Sequence, residues 1–410
     1  MEKQMSRTTV ASIFNKCYDF TAASEVRATG LYPFFKPISR SEGTKVYIDN
    51  KEMIMLGSNN YLGLANDPRL KEAAELAAER YGTSCSGSRF MNGTLDLHEE
   101  LEHRLAKFVG KSSALCFTTG YQTNLGSLSA LLNRGEHVIV DKYNHASIMD
   151  GIFLAEGTKR RINLHRFKHN SIEDLEKVLQ KIPLNESKLI VVDGVFSMEG
   201  DITLLPQIRE LADKYKAGIY LDEAHALGVI GETGRGTCEY YGGNYDLTDL
   251  TMCTFSKSFG SIGGFVAGDE QVIDYIRHFA RPLIFSASMP PANIAAAMKA
   301  LEIMEQEPQI TLKLQENARH MIKRFNEVGF DTGTAETPIV PLLIGDNDKT
   351  FLLWKNVFEK GVYVNPVITP AVPPQRALIR TSCMAIHSLE ELDQAIDIIA
   401  DEARKLAIID

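Results

Sequence analysis

From about residue 45 the chain alternates short apolar runs with longer stretches whose apolar residues recur at three- and four-residue steps. The short runs fall at 114–118, 137–141, 188–193, 218–222, 251–255 and 264–267, rich in Val, Ile, Leu and small residues. Runs without a polar alternation are the pattern of strands covered on both faces. Helical patterns lie between several of them, for example at 205–215. Strand–helix alternation of this kind predicts an α/β fold with a mostly parallel central sheet flanked by helices. After Pro290 and Pro291 the texture changes. A helical stretch runs over 292–306 and on past Pro308, followed by short strands at 339–344, 362–364 and 377–381. Ser388-Leu-Glu-Glu391 is a capping-box pattern, and Leu389, Leu392, Ile396, Ile399 and Ala403 then mark one apolar helix face. The expected organisation is an N-terminal arm over 1–50 with one short helix near 10–19, a large domain over 51–290, and a smaller α+β domain over 291–410.

Composition narrows the function classes. At 410 residues the chain exceeds the usual size of one hydrophobic core. A net charge of −9 and a single Trp give no support to nucleic-acid binding. The six cysteines form no C-x-x-C pair, and Cys116 and Cys253 sit in apolar runs as small buried hydrophobes. The start, M-E-K-Q-M-S-R-T-T-V, lacks the apolar core of a signal peptide, and no run reaches membrane-span length. A reducing cytoplasm is the expectation, with no integral membrane segment.

Four polar constellations stand just past strand ends, where ligands bind in parallel sheets. In T-F-S-Lys257-S-F-G, a lysine follows an apolar strand and precedes Gly260, Gly263 and Gly264. Most lysines beside small residues are solvated loop residues; one partly desolvated at a strand end can be a nucleophilic amine. In Y-L-Asp222-E-A-His225, a strand-end carboxylate could pair with a protonated ring nitrogen, or merely cap a helix. No second ligand stands at metal spacing beside it, so no metal is expected. In F-T-T-Gly120-Tyr121-Q-T-N, a strand, a Gly turn and a helix form a phosphate cradle, although plain turn chemistry explains the glycine equally well. In D-K-Y-N-His145-A-S, the imidazole could stack on a flat ring or sit on the surface. Together, and in this order, the four supply what pyridoxal 5′-phosphate (PLP) needs: a phosphate anchor, a ring stacker, a carboxylate for the ring nitrogen and an imine-forming lysine.

The same stretches carry a resemblance. With G-S-N-N-Y-L-G-L (57–64), D-G-V-F-S-M-E-G-D (193–201), F-S-A-S-M-P-P (285–291) and L-I-R-T-S (378–382), they make the chain similar, over about residues 25–405, to the α-oxoamine synthase family of fold-type I PLP enzymes. S-R-F-M-N-G-T-L-D-L-H, N-H-A-S-I-M-D-G and V-N-P-V-I-T-P-A-V-P-P give a closer likeness to its bacterial serine palmitoyltransferases.

The resemblance implies a decarboxylative Claisen condensation of L-serine with a long-chain acyl-CoA, giving 3-ketosphinganine, CoA and CO₂. Lys257 would form the imine and then act as the Cα base. Asp222 would hold the pyridinium nitrogen, His225 and Ser197 the ring hydroxyl, and His145 would stack and meet the substrate. Gly120, Tyr121, Thr254 and Ser256 would hold the phosphate. Ser286 and Ser288 would reach it across a homodimer interface, so that the site is shared. Asn59 and Arg380 would face the amino-acid carboxylate. Some bacterial serine palmitoyltransferases have an arginine for this carboxylate in the loop after V-N; Ile368 stands there here, which shifts the weight to Arg380. The alternatives are a glycine C-acetyltransferase (2-amino-3-ketobutyrate CoA ligase), an 8-amino-7-oxononanoate synthase using alanine, or a non-catalytic PLP-fold subunit. The last would be expected to lack the lysine or the aspartate, and both are present.

Overall fold

The apolar runs become the centre of the fold. A computed structural model describes residues 12–159 and 161–410. Strands β1 (Arg40–Glu42), β2 (Lys45–Ile48) and β3 (Lys51–Met55) come first. The central strands are β4 (Ser113–Phe117), β5 (His137–Asp141), β6 (Asn163–Phe167), β7 (Lys188–Asp193), β8 (Gly218–Asp222), β9 (Leu250–Thr254) and β10 (Gly264–Gly268). Strands β11 (Ile339–Leu343), β12 (Val362–Tyr363), β13 (Asn365–Val367) and β14 (Leu378–Ser382) follow.

The seven central strands form one sheet in the order β4-β10-β9-β8-β7-β5-β6. Pairings β5–β6, β5–β7, β7–β8 and β8–β9 are parallel, while β10 runs antiparallel to both β9 and β4. Six strands therefore point one way, and their carboxyl ends share one edge. Alternate side chains go to opposite faces. Val138, Val140, Val191 and Tyr220 pack with Ile148, Ile152 and Ile276. Ile139, Ile190, Val192, Ile219 and Leu221 pack with Leu175, Leu205 and Ile208. Each such buried aliphatic side chain stabilises the fold by roughly 1.5–3 kcal/mol, which is why these strands carry no polar alternation.

The expected α/β class holds, with two departures. The arm expected over 1–50 holds two short helices among the described residues, Asn15–Tyr18 and Ala22–Ala28, where one was expected. Its end is the β1–β2 hairpin, which extends to β3 and, in parallel, to β12. Val46 and Ile48 bury against Met53, Met55 and Met384, so this part of the arm is packed structure. Residues 10 and 11 of the helix expected near 10–19 lie outside the described residues. Toward the other end, β11, β14 and β13 form an antiparallel sheet. The capping box forms: Ser388 Oγ accepts the Glu391 N–H at 3.1 Å, and Glu391 Oε2 accepts the Ser388 N–H at 3.3 Å.

One polar clip ties the loops at the carboxyl edge together. His169 Nδ1 lies 3.1 Å from Asp141 Oδ1, just below the His145 loop, and its Nε2 lies 3.0 Å from Asp201 Oδ2. Burial alone would lower the His169 pKa, but hydrogen bonds to the Asp141 and Asp201 carboxylates outweigh it and hold it at about 9. The folded-state value lies above the ordinary one of about 6.5, so the stabilisation is complete below pH ~6.5 and disappears as pH rises through about 9. His169→Gln should therefore melt below the wild type at pH 6.5, by an energy of up to about 3 kcal/mol. The gap should close by pH 10 in melting curves taken across that range; a gap independent of pH would remove the charge from the explanation.

Candidate active site

A cavity of about 290 Å³ opens at the carboxyl edge of the sheet, at the small end of the range for small-molecule sites. It is lined by Gly120, His145, Asp222, His225, Thr254 and Lys257, among others. These residues come from four separate segments of the sequence. Strand register is what gathers them: the parallel β7–β8 pair sets Asp193 beside Asp222, and the antiparallel pairs of β10 set Thr254 beside Gly264, which in turn faces Phe117.

The phosphate cradle is built as a helix start. Helix Gly120–Leu131 follows β4, and its N-cap Thr119 accepts the Gln122 N–H through its side chain at 3.1 Å. A Cβ on Gly120 would lie 2.5 Å from Thr254 Cβ, so only glycine lets this helix end approach β9. Free N–H groups and the helix dipole then face the cavity, a ready site for an anion. The Thr254 hydroxyl donates to the Gly263 carbonyl at 3.1 Å and so accepts from Ser256 Oγ at 2.9 Å. Tyr121 also lines the cavity, and its hydroxyl donates to Asp150.

At the floor stand two buried carboxyls, Asp193 and Asp222. Asp222 Oδ1 accepts the Ala224 N–H at 2.9 Å and Oδ2 accepts from Asn124 Nδ2 at 2.7 Å. Asp193 Oδ1 has no protein partner. Burial, and then the charge of Asp222, push the Asp193 carboxyl well above the usual carboxylate range. Lys257 keeps partial exposure toward the cavity while protein crowds the rest of it, and burial brings its pKa down to about 8. Such an amine is partly neutral near physiological pH, as a nucleophile or base requires. His145 is exposed on its cavity side, and burial of the rest of the ring lowers its pKa.

Beside the floor lies a second layer. His225 is buried and neutral, its pKa lowered well below the ordinary value by burial and then by the Lys257 and Arg380 charges. Its Nδ1 is 2.7 Å from the Tyr61 hydroxyl. Arg380, only 5% exposed, donates to the Ser197 carbonyl at 2.7 Å, to Asn59 Oδ1 at 3.0 Å and to Tyr61 Oη at 3.4 Å. No carboxylate pairs with it among the described residues. A buried guanidinium held only by neutral acceptors is unfinished electrostatically, and an anionic ligand would complete it.

The expected residues thus fall into three groups. Gly120, Tyr121, His145, Asp222, His225, Thr254, Ser256 and Lys257 line one cavity. Asn59, Ser197 and Arg380 form an adjoining cluster, linked to it through Tyr61 and His225. Ser286 and Ser288 stand apart: Ser286 Oγ accepts from Gln122 Nε2 at 3.3 Å, and Ser288 Oγ donates to the Gly87 carbonyl of its own chain at 3.0 Å. Sequence reasoning gave no role to Asn124, Ser147, Asp193 or Tyr61. All four lie inside quoted stretches, but a buried Asn in a helix or a Tyr after two Asn reads as packing.

The residues fit PLP on three observations: the glycine-only helix start, the buried carboxylate at the floor, and the lysine of lowered pKa lining the same cavity. The comparisons agree. The family model described as aminotransferase class I and II matches residues 51–399. A serine palmitoyltransferase of Sphingobacterium spiritivorum is 48% identical, over 92% of this chain and 93% of the relative. An 8-amino-7-oxononanoate synthase of Thermoanaerobacter pseudethanolicus is 40% identical, over 94% of this chain and 96% of its own length. The solved structure of a lysine-to-alanine serine palmitoyltransferase from S. paucimobilis with a bound PLP–myriocin aldimine superposes with a TM-score of 0.91. It is 34% identical and covers 97% of this chain and 98% of that one. The chain belongs to the aminotransferase class I and II family, in the α-oxoamine synthase branch of PLP enzymes that holds the serine palmitoyltransferases.

Proposed function

We propose that the chain joins L-serine to a long-chain acyl-CoA with loss of CO₂, giving 3-ketosphinganine and CoA, the first step of sphingolipid synthesis. The observation that carries this is the 48% identity to a serine palmitoyltransferase over 92% of the chain, against 40% for the oxononanoate synthase. When bound, PLP supplies an electron sink that lets bonds at the Cα of an amino acid break heterolytically.

The chain's own residues do the rest. The helix start at Gly120, with Tyr121, Thr254 and Ser256, binds the phosphate. Asp222 would keep a proton on the ring nitrogen, and His225 with Ser197 would hold the ring hydroxyl. Lys257 would be the covalent anchor of the cofactor, and its free Nζ would take the Cα proton, a role its pKa of about 8 suits. His145, which lines the same cavity, would cover the ring face and hydrogen-bond the substrate. Arg380, with Asn59, binds the amino-acid carboxylate. A homodimer with a shared site, in which Ser286 and Ser288 belong to the segment near the partner's phosphate, completes the reading. No helix among the described residues is long and apolar enough to cross a membrane. We place the enzyme in the cytoplasm, at most peripheral at the inner membrane surface where an acyl substrate partitions.

The test feeds the purified PLP-loaded protein palmitoyl-CoA with serine, glycine or alanine and follows CoA and CO₂ release. A site that hydrogen-bonds the serine hydroxyl should favour serine by about 10⁴-fold or more in kcat/KM. A preference for alanine would move the chain to the oxononanoate synthases, and one for glycine to the C-acetyltransferases.

A further inference from the structure

We propose that Asn124 is a positioning residue which anchors the Asp222 carboxylate and, through Ser147, fixes His145 as the tautomer with its proton on Nε2. The inference rests on the reading of this cavity as the cofactor site and goes beyond it, to how two groups of the site are set by one buried amide.

Asn124 lies in helix Gly120–Leu131 and is 1% exposed. Asn is a poor helix former, and a buried amide is unfavourable unless hydrogen-bonded. Here the amide has partners at both ends. Its Oδ1 accepts from the Tyr220 hydroxyl at 2.9 Å. Its Nδ2 donates to Asp222 Oδ2 at 2.7 Å and to Ser147 Oγ at 2.9 Å. A carboxylate oxygen only accepts, so the NH₂ end must face Asp222, and the amide has one workable orientation.

The direction then passes along the chain of bonds. Ser147 Oγ accepts a hydrogen bond from Asn124 Nδ2, which leaves its own hydrogen for His145 Nδ1, 2.7 Å away. The Ser147 backbone N–H, which can only donate, reaches the same Nδ1 at 3.2 Å. His145 directly precedes helix Ala146–Lys159, so its ring nitrogen caps the first turn. Two donors on one ring nitrogen require a lone pair there, and a neutral ring must then carry its proton on Nε2. Burial, and then the nearby Lys257 charge, oppose the doubly protonated form, although Asp222 favours it.

The consequence is a division of labour. The ring that lines the cavity is a donor at Nε2. It can hydrogen-bond a substrate carboxylate or an oxygen gaining charge, but its free nitrogen cannot take a proton from Cα. That leaves Lys257 as the base.

The test is long-range ¹H–¹⁵N NMR of the full chain labelled in histidine, with and without PLP, at pH 7.5. The His145 signals are assigned by their loss in His145→Phe. Wild type should show a pyridine-type Nδ1 and a pyrrole-type Nε2. Ser147→Ala and Asn124→Ala should move both nitrogens toward intermediate values as the tautomers mix, and Ser147→Thr should restore the pattern. Asn124→Ala should also raise the Kd for PLP about tenfold or more, because it strips a charged hydrogen bond from Asp222. A pyrrole-type Nδ1 in the wild type, or a ring pattern unchanged in both Ala variants, overturns the proposal. No substrate enters the measurement, so this outcome and the serine preference stand or fall separately.

Discussion

Lys257→Ala is expected to lower kcat by about 10⁴-fold or more, because one substitution removes both the covalent anchor and the Cα base. The two roles sit on one Nζ, so their losses do not add as separate terms. The geometry argues for both. Lys257 lines the cavity that also holds Asp222 and His145, and burial brings its pKa to about 8. Borohydride reduction of the PLP-loaded wild type should leave the cofactor mass on the peptide that contains residue 257, and the variant should leave none. The phosphate cradle at Gly120 does not involve Lys257, so the variant should still bind PLP without the covalent link. Methylamine should fit the space left by the side chain and restore part of the rate, which a role confined to packing would not allow. Turnover within tenfold of the wild type would sink the assignment of this cavity as the active site.

The site was legible in the sequence where one residue both ends an apolar run and carries a functional group. Asp222 and the run ending at it are of this kind, and strands β5, β7 and β8 form over the residues expected. β6 was not read. Its N-L-H-R-F is an edge strand with only Phe167 buried, so its burial left no apolar run to see. The reversal of β10 was equally invisible, because a strand covered on both faces looks the same in either direction. The sheet that the arm's hairpin enters is completed by β12, which pairs with β3 from more than 300 residues away, and no local pattern reports such a partner. Tyr61 and Asn124 were missed for the same reason. Each acts by joining segments distant in sequence: Tyr61 stands between His225 and Arg380, and Asn124 between Asp222 and Ser147.

Asp222→Asn is expected to keep PLP bound and yet lower kcat by about 10²–10⁴-fold, through the proton on the ring nitrogen. A carboxylate close to that nitrogen raises its pKa by about 1–3 units, and each unit is about 1.4 kcal/mol of preference for the protonated ring. An amide removes the charge and adds a second fault. Asp222 accepts from the Ala224 N–H and from Asn124 Nδ2 through its two oxygens. An asparagine has one oxygen, so its NH₂ must face one of these two donors. An unsatisfied buried donor costs about 1–3 kcal/mol, which should appear as a lower melting temperature in the absence of cofactor. The electronic part separates from this structural part with a cofactor methylated on the ring nitrogen, which carries the positive charge without a proton. In Asp222→Ala, which leaves room for the methyl group, this analogue should raise the rate about tenfold or more over PLP itself. Equal rates with the two cofactors would show that Asp222 holds the ring in place and does not tune it.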